Sequence, residues 1–295
     1  MTENVSRRFV DFDQWPMQDA IEAMYDGQLF ALTAIRPALP IIAAAAKAAA
    51  ERLGKTGRLI YVGAGTSGRL GVLDGAELGP TYSWPVERTL FCIAGGLGAL
   101  TVSAEGAEDS AEDGAAEMET AKAGKNDIVF CIAASGKTPY TLGALRAAKA
   151  RGALTIGISN NADTPILTDA DFGILAETGS ELVAGSTRMK AGTTQKVILN
   201  MLSTAIMTSL GRVYKGLMVD MIVSNAKLQG RAEDMVCKIA DCTPETAVKA
   251  LGTADNHIKL AVLIALGESA QTGREILARH FDNLRSAVDE VTTGA

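Results

Sequence analysis

The sequence predicts an α/β fold: a parallel β-sheet flanked by helices, preceded by N-terminal helices and followed by a small C-terminal helical subdomain. Three observations carry this. Short, continuously apolar runs recur near residues 58–63, 88–93, 127–132, 154–158 and 172–176, as strands buried on both faces should look. Stretches with helical spacing separate them, near 67–78, 110–122, 139–150 and 190–211, as crossovers between parallel strands require. Two of the runs end in glycine- and hydroxyl-rich turns that open a helix.

Taken in order, residues 1–15 are polar and irregular, and 16–53 are alanine-rich with helical periodicity broken near Pro37 and Pro40. We divide the chain into an N-terminal helical segment (1–51), an α/β domain (52–215) and a C-terminal helical subdomain (216–295). No strand is expected after 215. Residues 220–231, 244–251, 258–266 and 274–281 read as short helices, with Thr243 capping and Pro244 at the first position of the second. Residues 106–114, rich in Glu and Asp, form an acidic loop or helix start.

The first turn organises the rest. Leu59-Ile60-Tyr61-Val62 leads into Gly63-Ala64-Gly65-Thr66-Ser67-Gly68, and helical spacing follows at Leu70, Val72, Leu73 and Ala76. Glycines allow positive φ and close approach of a ligand. Free N–H groups at the helix start, with the helix dipole, attract an anion. Gly65, Thr66 and Ser67 therefore read as a phosphate cradle. The turn also matches the G-x-G-x-x-G dinucleotide fingerprint, but that needs an acidic residue ending the next strand. Here the strand ends in Ala94-Gly95-Gly96, and Glu87 precedes it.

A second turn follows the run 128–132: Ser135-Gly136-Lys137-Thr138, then Pro139. It is not a nucleotide P-loop, which would need glycine where Cys131 stands. Ser135 and Thr138 hydroxyls and the N–H groups of Gly136 and Lys137 suit phosphate oxygens; helix capping is the plainer use of the same hydroxyls. Two such turns at the carboxyl ends of parallel strands point to one sugar phosphate between them.

Composition narrows the partners. The chain has 295 residues, 47% hydrophobic and 21% charged, with net charge −6. That argues against nucleic acid or an anionic membrane as partner. Four cysteines without a C-x-x-C pattern suggest a reduced, cytoplasmic setting, and two late histidines, His257 and His280, disfavour a histidine triad or zinc site. No signal peptide is expected at the N-terminus. The longest apolar stretch, 197–210, contains Asn200, Ser203 and Thr204 and is too short to span a membrane.

The two loops resemble the sugar isomerase (SIS) domain, a phosphosugar-binding fold. The likeness extends through residues 61–80 (YVGAGTSGRLGVLDGAELGP), 105–109 (EGAED), 132–140, 185–199 (GSTRMKAGTTQKVIL) and 217–228 (LMVDMIVSNAKL). These strings resemble the bacterial N-acetylmuramic acid 6-phosphate etherases. The resemblance implies removal of the lactyl ether from C3 of that sugar, giving N-acetylglucosamine 6-phosphate and D-lactate, with no metal or cofactor. It assigns acid–base work to Glu77 and Glu108. Read from the residues alone, Glu77 is a carboxylate near a helix end and Glu108 a helix-start charge, with Glu105 and Asp109 as neighbours of equal chemistry. One departure from the family pattern is Leu78-Gly79-Pro80, where a second proline or an aromatic is expected in place of Gly79.

The chemistry suits two carboxyls. Ring opening to the C1 aldehyde acidifies the C2 proton, and lactate at C3 then leaves by β-elimination before water adds back. One carboxyl takes the proton and the other protonates the departing oxygen. We expect Glu77 as acid, kept protonated by burial or a neighbouring carboxylate, and Glu108 as base. Ser186, Arg188 and Lys190 are candidates for the phosphate or lactyl carboxylate, and the SIS resemblance implies a ring-opening or hydroxyl-binding role for Glu181. A homodimer is expected, with the helix 190–211 packing against a second copy. The rival readings are a phosphosugar-sensing regulatory protein, as in the glucokinase regulatory protein, and an aldose–ketose isomerase.

Overall fold

The structure is a computed structural model describing residues 1–102 and 104–293. In chain order its elements are α1 (Met17–Ala34), α2 (Leu39–Leu53), β1 (Leu59–Gly63), α3 (Gly65–Ala76), α4 (Leu78–Tyr82), β2 (Thr89–Ile93), α5 (Ala111–Thr120), β3 (Ile128–Ile132) and α6 (Pro139–Ala150). Then come β4 (Leu154–Ser159), α7 (Pro165–Asp169), β5 (Phe172–Leu175), α8 (Lys190–Ser209), α9 (Ala226–Ala240), α10 (Pro244–Thr253), α11 (Ile258–Ala265), α12 (Ala270–Arg279) and α13 (Leu284–Thr293). The contacts gather into two compact units: Met1–Ala76 with Val86–Ala205, and Glu77–Pro85 with Ile206–Ala295.

The first unit holds a fully parallel five-stranded sheet in the order β2-β1-β3-β4-β5. β1, β3 and β4 are buried along their whole length, which is why their sequences are continuously apolar. Tyr61 of β1 packs between Phe91 and Phe130, with ring centroids 5.8 and 5.0 Å away. Burying a large apolar side chain contributes roughly 1.5–3 kcal/mol. The strand order places the reversal of winding between β1 and β3, where ligands collect outside the carboxyl ends of such sheets.

The second unit is helical, around a core that includes Val219, Val236, Leu251, Leu260, Val262 and Leu284. The helix expected over 220–231 begins only at Ala226, where the Asn225 side chain accepts from Leu228 N–H at 3.0 Å. Val219 and Met221 before it are buried in irregular chain. Ser269 caps α12 earlier than expected, and α13 was not foreseen. It follows Phe281 and Asp282, both at positive φ, and buries Leu284, Ala287 and Val288 on one face.

The structure bears on two expectations about apolar surface. In α8, Ile198, Leu199, Leu202, Ile206 and Met207 are buried within the chain and the exposed positions are Lys196, Thr204, Thr208 and Ser209. Its apolar side is therefore covered within the chain. The exposed apolar stripe lies instead on α1, at Met17, Ile21, Tyr25, Leu29 and Leu32. Residues 197–210 are also not the longest apolar stretch. Among the described residues Met17–Leu53 is long and apolar enough to cross a membrane by length and composition alone, a third (33%) of its most apolar window being buried. It divides into α1 and α2 around Pro37.

Candidate active site

Within the first unit, the β1–α3 and β3–α6 turns stand side by side, because β1 and β3 pair in register to Gly63 opposite Ile132. Gly65 begins α3 at φ +52°, and Thr66 and Ser67 form its first turn. In the second turn Gly136 takes φ +66°, and a Cβ there would lie 2.3 Å from Thr164 Oγ1 and 2.7 Å from Ser159 Oγ. Only glycine fits. Ser135 Oγ accepts from Lys137 N–H at 3.2 Å and lies 3.4 Å from Thr138 Oγ1, holding the turn ahead of Pro139 at the start of α6. The result is two helix starts side by side at the switch point of the sheet, a position suited to a phosphate, although the Gly136 N–H already donates to the Ala133 carbonyl and the Lys137 N–H to Ser135 Oγ.

A chain of buried amides fixes these turns. Ser67 Oγ donates to Gln195 Oε1 at 3.0 Å, and Gln195 Nε2 donates to Asn160 Oδ1 at 2.9 Å. Asn160 Nδ2 in turn donates to Thr194 Oγ1 and to the Ala176 carbonyl. Asn161 Nδ2 donates to the Ala134 carbonyl and to Thr2 Oγ1, while Thr2 N–H donates back to Asn161 Oδ1. The Thr2 carbonyl then accepts from Gly185 N–H, pinning the start of the Gly185-Ser186-Thr187-Arg188 loop. Sequence reasoning missed Asn160, Asn161 and Gln195. The available signal was Ser159-Asn160-Asn161, a polar run at the carboxyl end of a buried strand, like the other two turns.

Glu181 and Lys190, both candidates from the sequence, are buried and already partnered within the chain. Glu181 is fully buried, and its two oxygens accept from the N–H groups of Lys190 and Ala191 at 3.0 and 2.9 Å. It caps α8, where the helix dipole favours a negative charge. Both oxygens are thus engaged by backbone donors. The Lys190 ammonium donates to the Thr178 carbonyl at 2.7 Å and lies over the Phe30 ring. Burial lowers its pKa, against the pull of Glu181. Arg188 and Lys137 remain exposed, and Ser186 is half-buried in its loop.

Of the two carboxylates, Glu108 lies on a single helical turn, Ala107–Asp109, entered through Gly106 at φ +72°. Glu77 immediately precedes α4, its side chain making no capping hydrogen bond, and belongs to the second unit. Both side chains are exposed, not buried as a general acid was expected to be. Three residues before Glu77, Asp74 is buried and accepts from Tyr61 Oη, Asn200 Nδ2 and Ser203 Oγ. Burial raises its pKa, and these hydrogen bonds pull it back only in part. Among the described residues no group of three or more His, Cys, Asp or Glu could hold a metal ion.

The comparisons with known proteins agree with this geometry. The family model described as "SIS domain" matches residues 104–205, and "Glucokinase regulatory protein N-terminal SIS domain" matches 41–149. In fold, the chain is similar to a phosphoheptose isomerase from Francisella tularensis, with TM-score 0.50 and 19% identity over 66% of this chain and all (100%) of that one. The fold is therefore of the SIS class. Much closer in sequence are N-acetylmuramic acid 6-phosphate etherases from Deinococcus radiodurans and Cutibacterium acnes, each 44% identical over 98% of this chain and 95% of theirs. The chain belongs to the N-acetylmuramic acid 6-phosphate etherase family.

Proposed function

We propose that this chain is a carbon–oxygen lyase that cleaves the D-lactyl ether of N-acetylmuramic acid 6-phosphate. The observation that carries the reading is the 44% identity to etherases along 98% of the chain. The glycine turns supply the matching cradle: Gly65, Thr66, Ser67, Ser135, Gly136, Lys137 and Thr138 hold the phosphate. Arg188 and Ser186 stand at the lactyl carboxylate or a sugar hydroxyl, while Glu181 and Lys190 support the loop that carries them.

In the open-chain sugar, Glu108 takes the C2 proton as the C3–O bond breaks, and Glu77 protonates the leaving lactate oxygen. Water then adds across the C2–C3 double bond, returning a hydroxyl to C3 and a proton to C2. The products are N-acetylglucosamine 6-phosphate and D-lactate, and only proton transfers are required. We further propose a cytoplasmic homodimer. The free cysteines fit a reducing compartment, and the α1 stripe offers apolar surface to a second copy.

The test is lactate release in ¹⁸O-labelled water with mass analysis of the sugar. Lactate together with label at C3 is the expected result, and Glu77→Gln or Glu108→Gln should each abolish it. Unlabelled sugar would mean cleavage on the lactyl side of the ether. Binding of the sugar phosphate without any lactate would favour the regulatory reading, which the 41–149 match to a regulatory protein's domain makes specific.

A further inference from the structure

The nine residues Glu77–Pro85 interrupt the first unit in sequence, yet their contacts lie with Ile206–Ala295. α4 is a five-residue helix, too short to hold itself. Its carboxyl end is tied down from the helical unit. Arg212 Nη1 donates to the Tyr82 carbonyl, and its guanidinium stacks 5.4 Å from the Trp84 ring centroid. Ser83, at φ +48°, donates its hydroxyl to the Asp220 carbonyl. Ile222 N–H donates to the Pro80 carbonyl at 3.2 Å.

Arg212 and Asp220 are themselves organised by a charge inside the core. Lys259 of α11 is 1% exposed. Its ammonium lies 2.6 Å from Asp220 Oδ2 and 2.8 Å from Asp282 Oδ2, and donates to the Asp282 carbonyl at 2.7 Å. Arg212 Nη1 adds a longer contact to Asp220, at 3.8 Å. A buried lysine among apolar helices is costly unless it is paired, and here Asp282 accepts two hydrogen bonds from it while Asp220 Oδ2 stands at ion-pair distance. An apolar side chain would fill the same core position, so the charge answers to a different need: fixing Asp220, and through it the Ser83 end of α4.

We infer that Lys259 is a positioning residue for Glu77, acting through Asp220, Arg212 and Ser83. The C-terminal helices thereby set the placement of one of the two proposed catalytic carboxylates. This rests on the etherase reading for Glu77 but not for the mechanical link itself. Glu77 opens α4, its carbonyl accepting from Thr81 N–H at 3.2 Å, so a loosened α4 misplaces it.

The test compares the parent chain with Lys259→Met, and with Lys259→Met combined with Asp220→Asn, which removes the charge the first substitution strands. Ser83→Gly provides a milder cut of the same link. Lactate release is measured against substrate concentration, and backbone hydrogen exchange is followed along the chain. We expect kcat to fall by about ten-fold or more with KM changed by less than about three-fold, because a misplaced catalytic group costs rate and not binding. Exchange should quicken at Thr81, Ser83 and Trp84 while β1 and β3 keep their protection. Unchanged kcat in folded variants, a rise in KM alone, or exchange that quickens equally in the sheet would overturn the inference. If the parent releases no lactate, the etherase reading fails, and exchange at residues 78–84 still decides the link.

Discussion

Asp74 offers the sharpest check on how the first unit is held. It is 6% exposed, and three side chains aim donors at it: Tyr61 Oη at 3.0 Å, Asn200 Nδ2 at 2.8 Å and Ser203 Oγ at 3.1 Å. Asp74→Ala strips the acceptor from all three and leaves a small void. At about 1–3 kcal/mol for each buried donor, partly relieved by relaxation, the loss should come to about 3–5 kcal/mol. Asp74→Asn keeps the shared oxygen for Asn200 and Ser203 and lets the tyrosine hydroxyl turn to accept. It also removes a buried charge, so it should stay within about 1 kcal/mol of the parent near neutral pH. The pH dependence gives a second handle. The folded-state pKa of Asp74 is raised above its ordinary value, burial being the main cause. The folded state therefore takes up the proton first as pH falls, and the parent should gain stability relative to Asp74→Asn until pH drops below the unfolded pKa. Urea unfolding followed by circular dichroism, near neutral pH and again in mild acid, measures both effects. An Asn variant as damaged as the Ala variant, or a parent that gains on Asn as pH rises, would refute the reasoning.

Three other outcomes follow from the same geometry. Gly136→Ala forces a Cβ within 2.3 Å of Thr164 Oγ1 at a φ that costs alanine about 1–2 kcal/mol, so phosphosugar binding measured by calorimetry should weaken sharply while the sheet persists. Gln195→Leu leaves Ser67 Oγ and Asn160 Oδ1 without their partner, which should cost about 1–3 kcal/mol in urea unfolding and raise KM, with kcat less affected. Ile21→Glu places a charge in the middle of the α1 stripe and should shift sedimentation from dimer to monomer; a parent chain that already sediments as a monomer refutes the pairing.

The sheet was legible in the sequence because burial on both faces leaves no polar residue in strands such as Ile128–Ile132. The two phosphate turns were legible because glycine and hydroxyl residues there serve backbone geometry, which is local. What escaped were groups whose roles depend on residues far along the chain. Asn161 is explained by Thr2, 159 positions away, and Gln195 by Ser67, 128 positions away. Glu181 was legible as a special carboxylate, but its partners are two N–H groups that exist only once α8 has formed. α4 could not be assigned to the helical unit from its neighbours in sequence, since its ties run to Arg212, Asp220 and Ile222.

The site divides its labour between buried and exposed residues, and the division has a physical logic. Glycine turns present N–H groups well but resist deformation poorly, because glycine loses the most freedom on ordering. Here buried side chains brace the turns: Gln195 is bonded to Ser67 and to Asn160, Asn161 to the β3 turn, and Glu181 to the start of α8. The residues assigned to the chemistry, Glu77, Glu108 and Arg188, all stand exposed. An acid that must deliver a proton near neutral pH works best out of water. In the proposed reaction a substrate that covers Glu108 as it binds would supply the shielding. Binding and shielding become one event, and a substrate shortened by its lactyl group should occupy the phosphate cradle yet leave the carboxylates wet. Hydrogen exchange along 105–109 should then slow with the full substrate bound to a Glu77→Gln chain, and remain fast with N-acetylglucosamine 6-phosphate. Equal protection by both sugars would show that the phosphate alone closes the site.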